Sequence, residues 1–374
     1  MDEPTSAGRP REVLKQLDPT KALKILSAMA RVGPRNLLEV SQVTGIPFTT
    51  VHHRIAQIES KAGKVVELLP NAAKLGMVRI VVLVAAKPGL EDIASKALRI
   101  PGYWRMVWRC EGDEFTHLSV QTIPTKHLKH FREYVSTMRA MNLIKTYRII
   151  ETGDTFPIFP DFSSYYWSSG KWIFNWEGWL TTLKTAGPTE PLKDPRQDPV
   201  EVEKIDLEII SYLELDGRMI FSDIAQKCGC SPQTVKNRYD DKLVPAGIVG
   251  TFDFLVIPFP LDISSWHEFT LEFPDAASMS RFVALAKRLF FIHQLVKALG
   301  KSTLLVRTGI INSQMENMFT FFSKMVEAGQ LTSYSAVRLN MDSRISQAIP
   351  YELFDPVSGW EWDVYKNLLE LNKL

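Results

Sequence analysis

The sequence predicts an α+β chain in which one small helical unit and one larger mixed unit are each present twice. Three observations lead there. Sliding the 374 residues against themselves by 184 positions lays residues 25–65 on 209–249 without a gap, and 11 of these 41 pairs are identical, among them Gly33/Gly217, Gly45/Gly229, Val51/Val235 and Arg54/Arg238; composition alone would give roughly two or three. Each copy then passes from helical periodicity to alternating strand and helix patterns. Each closes on an aromatic segment, Ser169-Gly170-Lys171-Trp172 in one and Ser358-Gly359-Trp360 in the other.

The helical unit comes first. Ala22, Ile25, Leu26 and Met29 fall at helical spacing, Gly33-Pro34 stops that helix, and Leu37–Thr44 forms a second, ended by Gly45. A third helix runs from about Thr49 to Ser60, with Val51, Ile55 and Ile58 on its apolar stripe; after Gly63, residues Val65–Leu69 read as a strand. In the second copy Leu207, Ile210 and Leu213 line helix one, and Ile224, Ala225 and Cys228 line helix two. Gly229 takes the tight turn, and Ser231-Pro232 gives an N-cap followed by proline at the first helical position. Val235, Tyr239 and Leu243 face the core, and Gly247-Ile248-Val249 begins a wing. Three short helices and a strand make a winged helix-turn-helix.

The mixed unit follows. Met77–Ala86, Leu90–Leu98, Tyr103–Cys110, Phe115–Thr122, Lys126–Met141 and Ile144–Ile150 read as βαββαβ, and Trp266–Phe273, Ala276–Arg288, Phe291–Leu299, Thr303–Ile310, Gln314–Ala328 and Leu331–Asn340 repeat the order. This is the ferredoxin-like arrangement. Its sheet carries helices on one face only, so the bare faces of the two halves, or of two chains, should pack together. The expected divisions are a polar arm (1–18), helix-turn-helix one (19–70), ferredoxin-like unit one (71–152), an aromatic tail (153–184), a linker with four prolines (185–200), helix-turn-helix two (201–250), ferredoxin-like unit two (251–345) and a C-terminal aromatic tail (346–374).

The stretch Asp206–Ile210 through Ile224–Lys227 and Gly229–Arg238 resembles the helix-turn-helix of the leucine-responsive/AsnC transcription regulators. The βαββαβ unit is similar in element order to that family's sensing and dimerisation domain, and Gly112-Asp113 resembles its turn after the second strand. The resemblance implies an archaeal-like, cytoplasmic regulator that binds double-stranded DNA and responds to a small-molecule effector, with Gly112 and Asp113 as effector-site candidates. Family members usually carry one copy per chain and pair as homodimers; the present chain resembles a fused dimer, with further homo-oligomers open. It departs from the pattern at Pro47, where the second copy has Ser231, and at Lys301, which replaces the acidic residue after the turn glycine.

A reading helix uses the face opposite its core stripe. In the first copy that face holds Thr49, His53 and Gln57, edged by Thr50 and His52; in the second it holds Gln233, Asn237 and Asp241, flanked by Ser231, Thr234 and Lys236. Gln and Asn suit adenine and Asp suits cytosine. Arg54 and Arg238 sit at the stripe's edge, where either a phosphate or a carboxylate of helix one is in reach. Residues 1–70 carry +3, 71–150 carry +7 and 201–250 carry −3, which favours the N-terminal half as the DNA binder.

Other classes find little support. The overall charge of +2 names no partner. Cys110, Cys228 and Cys230 read as reduced thiols, too few for a four-ligand zinc site. The longest apolar run, Ile80–Ala86, is far short of the ~20 residues that span a bilayer, so no membrane role is expected. No Walker, GxSxG, HExxH or CxxC pattern occurs. The expectation is a chain that is not an enzyme and needs no metal or cofactor. His127 and His130, at i, i+3, form the one sensible metal or tetrapyrrole pair, and Trp167, Trp172, Trp176 and Trp179 form either a ligand pocket or staples buried across the mixed unit. Two alternatives stay open: an enzyme like the siroheme decarboxylases, which share this regulator fold, and an interaction protein whose helix-turn-helix units no longer touch DNA.

Overall fold

The computed structural model describes residues 19–62, 65–112, 114–166, 171–187, 190, 192–194, 196, 198–254 and 256–374. The expected polar arm, Gly63, Asp113 and Trp167 lie outside them. In chain order come α1 (Pro19–Val32), α2 (Leu37–Thr44), α3 (Phe48–Ala62) and β1 (Val66–Leu69). Then follow β2 (Met77–Ala86), α4 (Glu91–Ala97), β3 (Trp104–Glu111), β4 (His117–Pro124), α5 (Leu128–Ala140) and β5 (Ile144–Pro157). A hairpin, β6 (Tyr165–Tyr166) with β7 (Lys171–Trp172), and α6 (Trp176–Thr185) form the first tail. The second half runs α7 (Lys204–Leu215), α8 (Phe221–Cys228), α9 (Pro232–Asn237), β8 (Thr251–Phe254), β9 (Ser264–Glu272), α10 (Ala276–Ala286), β10 (Ile292–Ala298), β11 (Thr303–Ile311), α11 (Met315–Glu327) and β12 (Ser333–Leu339). It closes with β13 (Ile345–Ser346), β14 (Phe354–Asp355), β15 (Gly359–Trp360) and α12 (Val364–Asn372). The fold is mixed α+β. Strand β5 runs past the boundary expected at 152, and β8 sits with the helical units rather than with the strands after it.

The main sheet has nine strands in the order β12-β9-β11-β10-β5-β2-β4-β3-β13, where β13 is a two-residue addition beside β3, and β12 also pairs with β3. The sheet therefore closes into an eight-stranded antiparallel barrel. Each half contributes four strands, and the joins are β5 with β10 (Thr155↔Val296) and β12 with β3 (Leu339↔Cys110). Closure pairs the two end strands of the eight with each other, and β13 lies beside the next part of β3 (Ile345↔Val107). It also answers the bare-face problem: Val81, Leu83, Trp108, Leu118, Val120, Trp266, Leu305 and Val337 share one buried cluster inside. The alternating residues Ile80, Val82 and Val84 turn the other way, into the cluster that includes Phe131 and Met138 of α5. Some polar groups inside are paired. Arg307 Nε donates to Glu268 at 2.7 Å, and its guanidinium lies 4.3 Å from the Trp108 ring centre. Gly309 leaves room for Trp266, because a Cβ there would come within 2.7 Å of that indole.

The aromatic tails are staples, as one of the two readings had it, but each crosses to the opposite half. Trp172 stacks on Phe290 at 4.2 Å, Trp176 packs on Phe291 and Phe321, and α6 lies against α10 and α11. In return Trp362 stacks on Tyr103, Trp360 Nε1 donates to the Leu75 carbonyl at 3.0 Å, and α12 lies against α5. The linker is docked as well: Val200 N–H donates to the Lys74 carbonyl at 2.9 Å, and Asp194 takes Lys297 and the Gly300 N–H.

Candidate nucleic-acid interface

The apolar stripe of the first helical unit is buried as its spacing predicts. Ala22, Ile25, Leu26, Met29, Val51, Ile55 and Ile58 share a core. That burial orients α3. Thr49, His52 and His53 are exposed, and Thr50, Arg54 and Gln57 are half-buried. The outward side chains order one another: Gln57 Nε2 lies 2.9 Å from His53 Nε2, and Arg54 Nη1 donates to Gln57 Oε1 at 3.1 Å. Among the described residues Arg54 makes no ion pair.

In the second unit Gly229 takes φ 65°, and Ser231 Oγ accepts from the Thr234 N–H at 3.1 Å, which caps α9. Ser231, Gln233, Lys236 and Asn237 are exposed, and Thr234 and Arg238 half-buried. The regular helix ends at Asn237, however, and Arg238–Leu243 is a π-helical turn. A projection at 100° per residue holds across Gln233–Asn237, which are joined at 2.5 Å, and fails at Asp241 because a π turn winds less per residue.

The cations of this second helix are spent internally. Arg238 Nη1 donates to Asp206 and to Glu203, both at 2.9 Å; Lys242 donates to Asp206 at 2.6 Å; Lys236 donates to Asp240 at 2.6 Å. Asp206 is fully buried, and hydrogen bonds from Arg238 and Lys242 hold the Glu203 carboxyl down at about 2. For Arg238 the carboxylate clamp is thus the role the geometry supports. In the first helical unit the positions matching Glu203, Asp206 and Lys242 are Pro19, Ala22 and Ile58, so Arg54 has no such clamp.

The two helical units are joined by contacts that no local pattern announces. Strands β1 and β8 pair with each other (Val66↔Phe254, Leu69↔Thr251). This corrects the expected wings: the strand of each unit is one half of a shared ribbon, because an unpaired strand needs a partner for its backbone groups and the other unit supplies it. Arg35 donates to the Gly217 and Met219 carbonyls and lies 4.3 Å from the Phe221 ring centre, while Arg218 donates to the Pro34 carbonyl at 2.7 Å and to Glu59 at 2.6 Å.

The remaining candidates lie elsewhere. Gly112 borders a cavity of about 50 Å³, room for a few water molecules. His127 Nε2 is 2.9 Å from the Trp360 carbonyl, and Trp362 covers both His127 and His130. Burial pushes the Cys110 and Cys228 thiols up to about 12, which keeps them protonated. Among the described residues no group of three His, Cys, Asp or Glu side chains is placed to hold a metal ion, and no helix is long and apolar enough to cross a membrane.

Residues 203–241, which hold α7, α8, α9 and the Arg238 clamp, match the AsnC-type helix-turn-helix domain. This chain carries an AsnC-type helix-turn-helix. The resemblance read from Asp206–Arg238 is thereby borne out. The chain is also 35% identical over 65 residues to the uncharacterized HTH-type transcriptional regulator PH0140 of Pyrococcus horikoshii, a stretch covering 17% of this chain and 40% of that relative. Over most of its length this chain resembles, in fold, the crystal structure of the siroheme decarboxylase NirDL: TM-score 0.56, 9% identity, 94% of this chain and 98% of that one. The same enzyme in co-complex with an iron-uroporphyrin III analogue gives TM-score 0.53 at the same coverage and identity. This overturns the expectation that the chain is not an enzyme, since the architecture it shares along nearly its whole length is that of one.

Proposed function

We propose that the chain is a sequence-specific DNA-binding transcription regulator of AsnC type. In this reading an ancestral unit was duplicated, and the two copies act as a pseudo-dimer within one chain. The observation that carries it is the AsnC-type match over residues 203–241, together with a related α3 whose polar face is exposed. The first unit is the main reader: Arg54, without a carboxylate, approaches a phosphate, and Thr49, Thr50, His52, His53 and Gln57 face base edges. The second unit, its cations neutralised, contributes Ser231, Gln233, Thr234, Lys236 and Asn237 more weakly, with Arg238 holding the unit together. A small-molecule effector would act by changing how the shared ribbon holds the two reading helices.

The test is a competition gel shift on operator and non-operator duplexes. The double change His53→Ala with Gln57→Ala is expected to relax sequence preference while leaving salt dependence intact. Full preference in the double variant removes α3 as the reader.

The whole-chain likeness to NirDL favours a second reading, an enzyme acting on a tetrapyrrole carboxylate. Titrating the protein with siroheme and following the absorption spectrum separates the two: a saturable spectral shift followed by loss of carbon dioxide supports the enzyme, and an unchanged spectrum removes it.

A further inference from the structure

A chamber of about 590 Å³ lies between the β1/β8 ribbon and the adjoining end of the barrel. Ribbon ends Leu69 and Gly250 form one side, and barrel residues Val120 and Leu295, with Phe156, form the apolar remainder. This is ample for a small organic molecule. What distinguishes the chamber is its charge. Arg79 lines it from β2, the single charged residue in the run Met77–Ala86. Burial lowers its pKa to about 10, so it remains a cation at neutral pH.

The acceptors around Arg79 are committed elsewhere. Glu268 is taken by Arg307. Glu214 is taken by Arg105 and by the Ile349 N–H at 2.6 Å. Asp154 accepts from the Ala72 N–H at 3.4 Å, and burial raises its pKa. Among the described residues Arg79 forms no ion pair, and its Nε and the Arg105 Nη1 are buried without an acceptor. An unpaired buried guanidinium is strongly unfavourable unless something in the site accepts its hydrogens.

We propose that this chamber binds an amphipathic monocarboxylate, its carboxylate on Arg79 and its apolar body against Val120, Phe156 and Leu295. The planar fork of a guanidinium matches a carboxylate in bidentate fashion. A single negative charge balances the buried Arg79, while Lys287, which also lines the chamber, is exposed to solvent; a doubly charged phosphate would meet Asp154 and Glu214. Because the walls come from both the ribbon and the barrel, the occupant is held by both. The assignment goes beyond the DNA-binding reading, and its test involves no DNA.

The test is isothermal titration calorimetry of the full chain with naphthalene-2-carboxylate and with naphthalene-2-carboxamide, the same body without the charge. The expected result is saturable one-to-one binding of the acid, weaker by about tenfold or more for the amide. Arg79→Met should lower affinity for the acid to that of the amide, and Arg79→Lys should retain part of it. Near-UV circular dichroism checks the fold; if Arg79→Met does not fold, the acid–amide comparison and Arg79→Lys decide. No saturation at millimolar acid, equal affinity for acid and amide, or unchanged affinity in Arg79→Met overturns the proposal.

Discussion

The Arg238 guanidinium sits 2.9 Å from the Asp206 carboxylate, which is sealed from solvent at the start of α7. Asp206 also accepts from the Glu203 N–H at 2.8 Å, so one carboxylate both caps a helix and anchors the next but one. The corresponding pair in the first helical unit is Arg54 with Ala22, which has nothing to anchor. One arginine has become part of the scaffold, and its counterpart is left available.

That contrast can be measured. Arg238→Met leaves Asp206 with Lys242 as its one cation, and should destabilise the second helical unit by about 1–3 kcal/mol in chemical denaturation. Arg54→Met should change stability by no more than about 0.5 kcal/mol. It should also weaken binding to all duplexes alike, reducing the salt slope by about one. Equal stability losses in the two variants would remove the distinction.

Asp253 faces Glu67 directly across the shared ribbon. Burial first, then the Glu67 charge, raises its pKa from 3.8 to about 6. Its folded value lies above its unfolded one, so its favourable contribution is complete below about pH 4 and is lost as pH rises through 6. Asp253→Asn is therefore expected to stabilise the chain by about 1–2 kcal/mol near pH 7.5 and by nothing near pH 4. Urea denaturation at the two pH values checks it, and an equal gain at both would contradict the ribbon as its source.

The crossed tails predict where damage falls. Trp172→Ala deletes a ring stacked at 4.2 Å on Phe290 and should cost about 3 kcal/mol. Hydrogen exchange should accelerate in α10 and α11 of the opposite half while β2–β5 of its own half stay protected. Loss of protection confined to β2–β5 would argue against the crossing.

Gly309 supplies a packing test. Gly309→Ala places a methyl within 2.7 Å of Trp266 and about 3.0 Å of His293, and overpacking of this kind costs about 1–3 kcal/mol. The Trp266–His293 stack, 4.3 Å between centroids, should open, read as a change in tryptophan near-UV dichroism. An unchanged spectrum with unchanged stability would mean the stack adjusts freely.

Much of the local architecture is legible in consecutive residues. The stripe Val51, Ile55, Ile58 is buried, Ser231 caps α9, Gly229 takes a positive φ, and the strand and helix order after each helical unit holds to within a few residues. The exposed set on α3 follows from that same stripe. By contrast, the π turn at Arg238–Leu243 gave no periodic warning. The one signal for the chamber was a lone arginine in the run Met77–Ala86, whose importance depends on residues far away in sequence.

Helix periodicity, caps and turn glycines are settled by interactions among neighbours within four or five residues, so the sequence alone determined the elements, their order and the outward side of α3. Only the tertiary structure decided that β5 joins β10 and β12 joins β3 to close a barrel, that β1 and β8 make one ribbon, that the tails cross, and which arginines are neutralised. The strand joins and the crossed tails bring together edges and rings from more than a hundred residues apart, and even the Arg238 clamp reaches a carboxylate 32 residues away; at such separations pairing is set by which complementary surface the folded chain makes available rather than by any spacing along it.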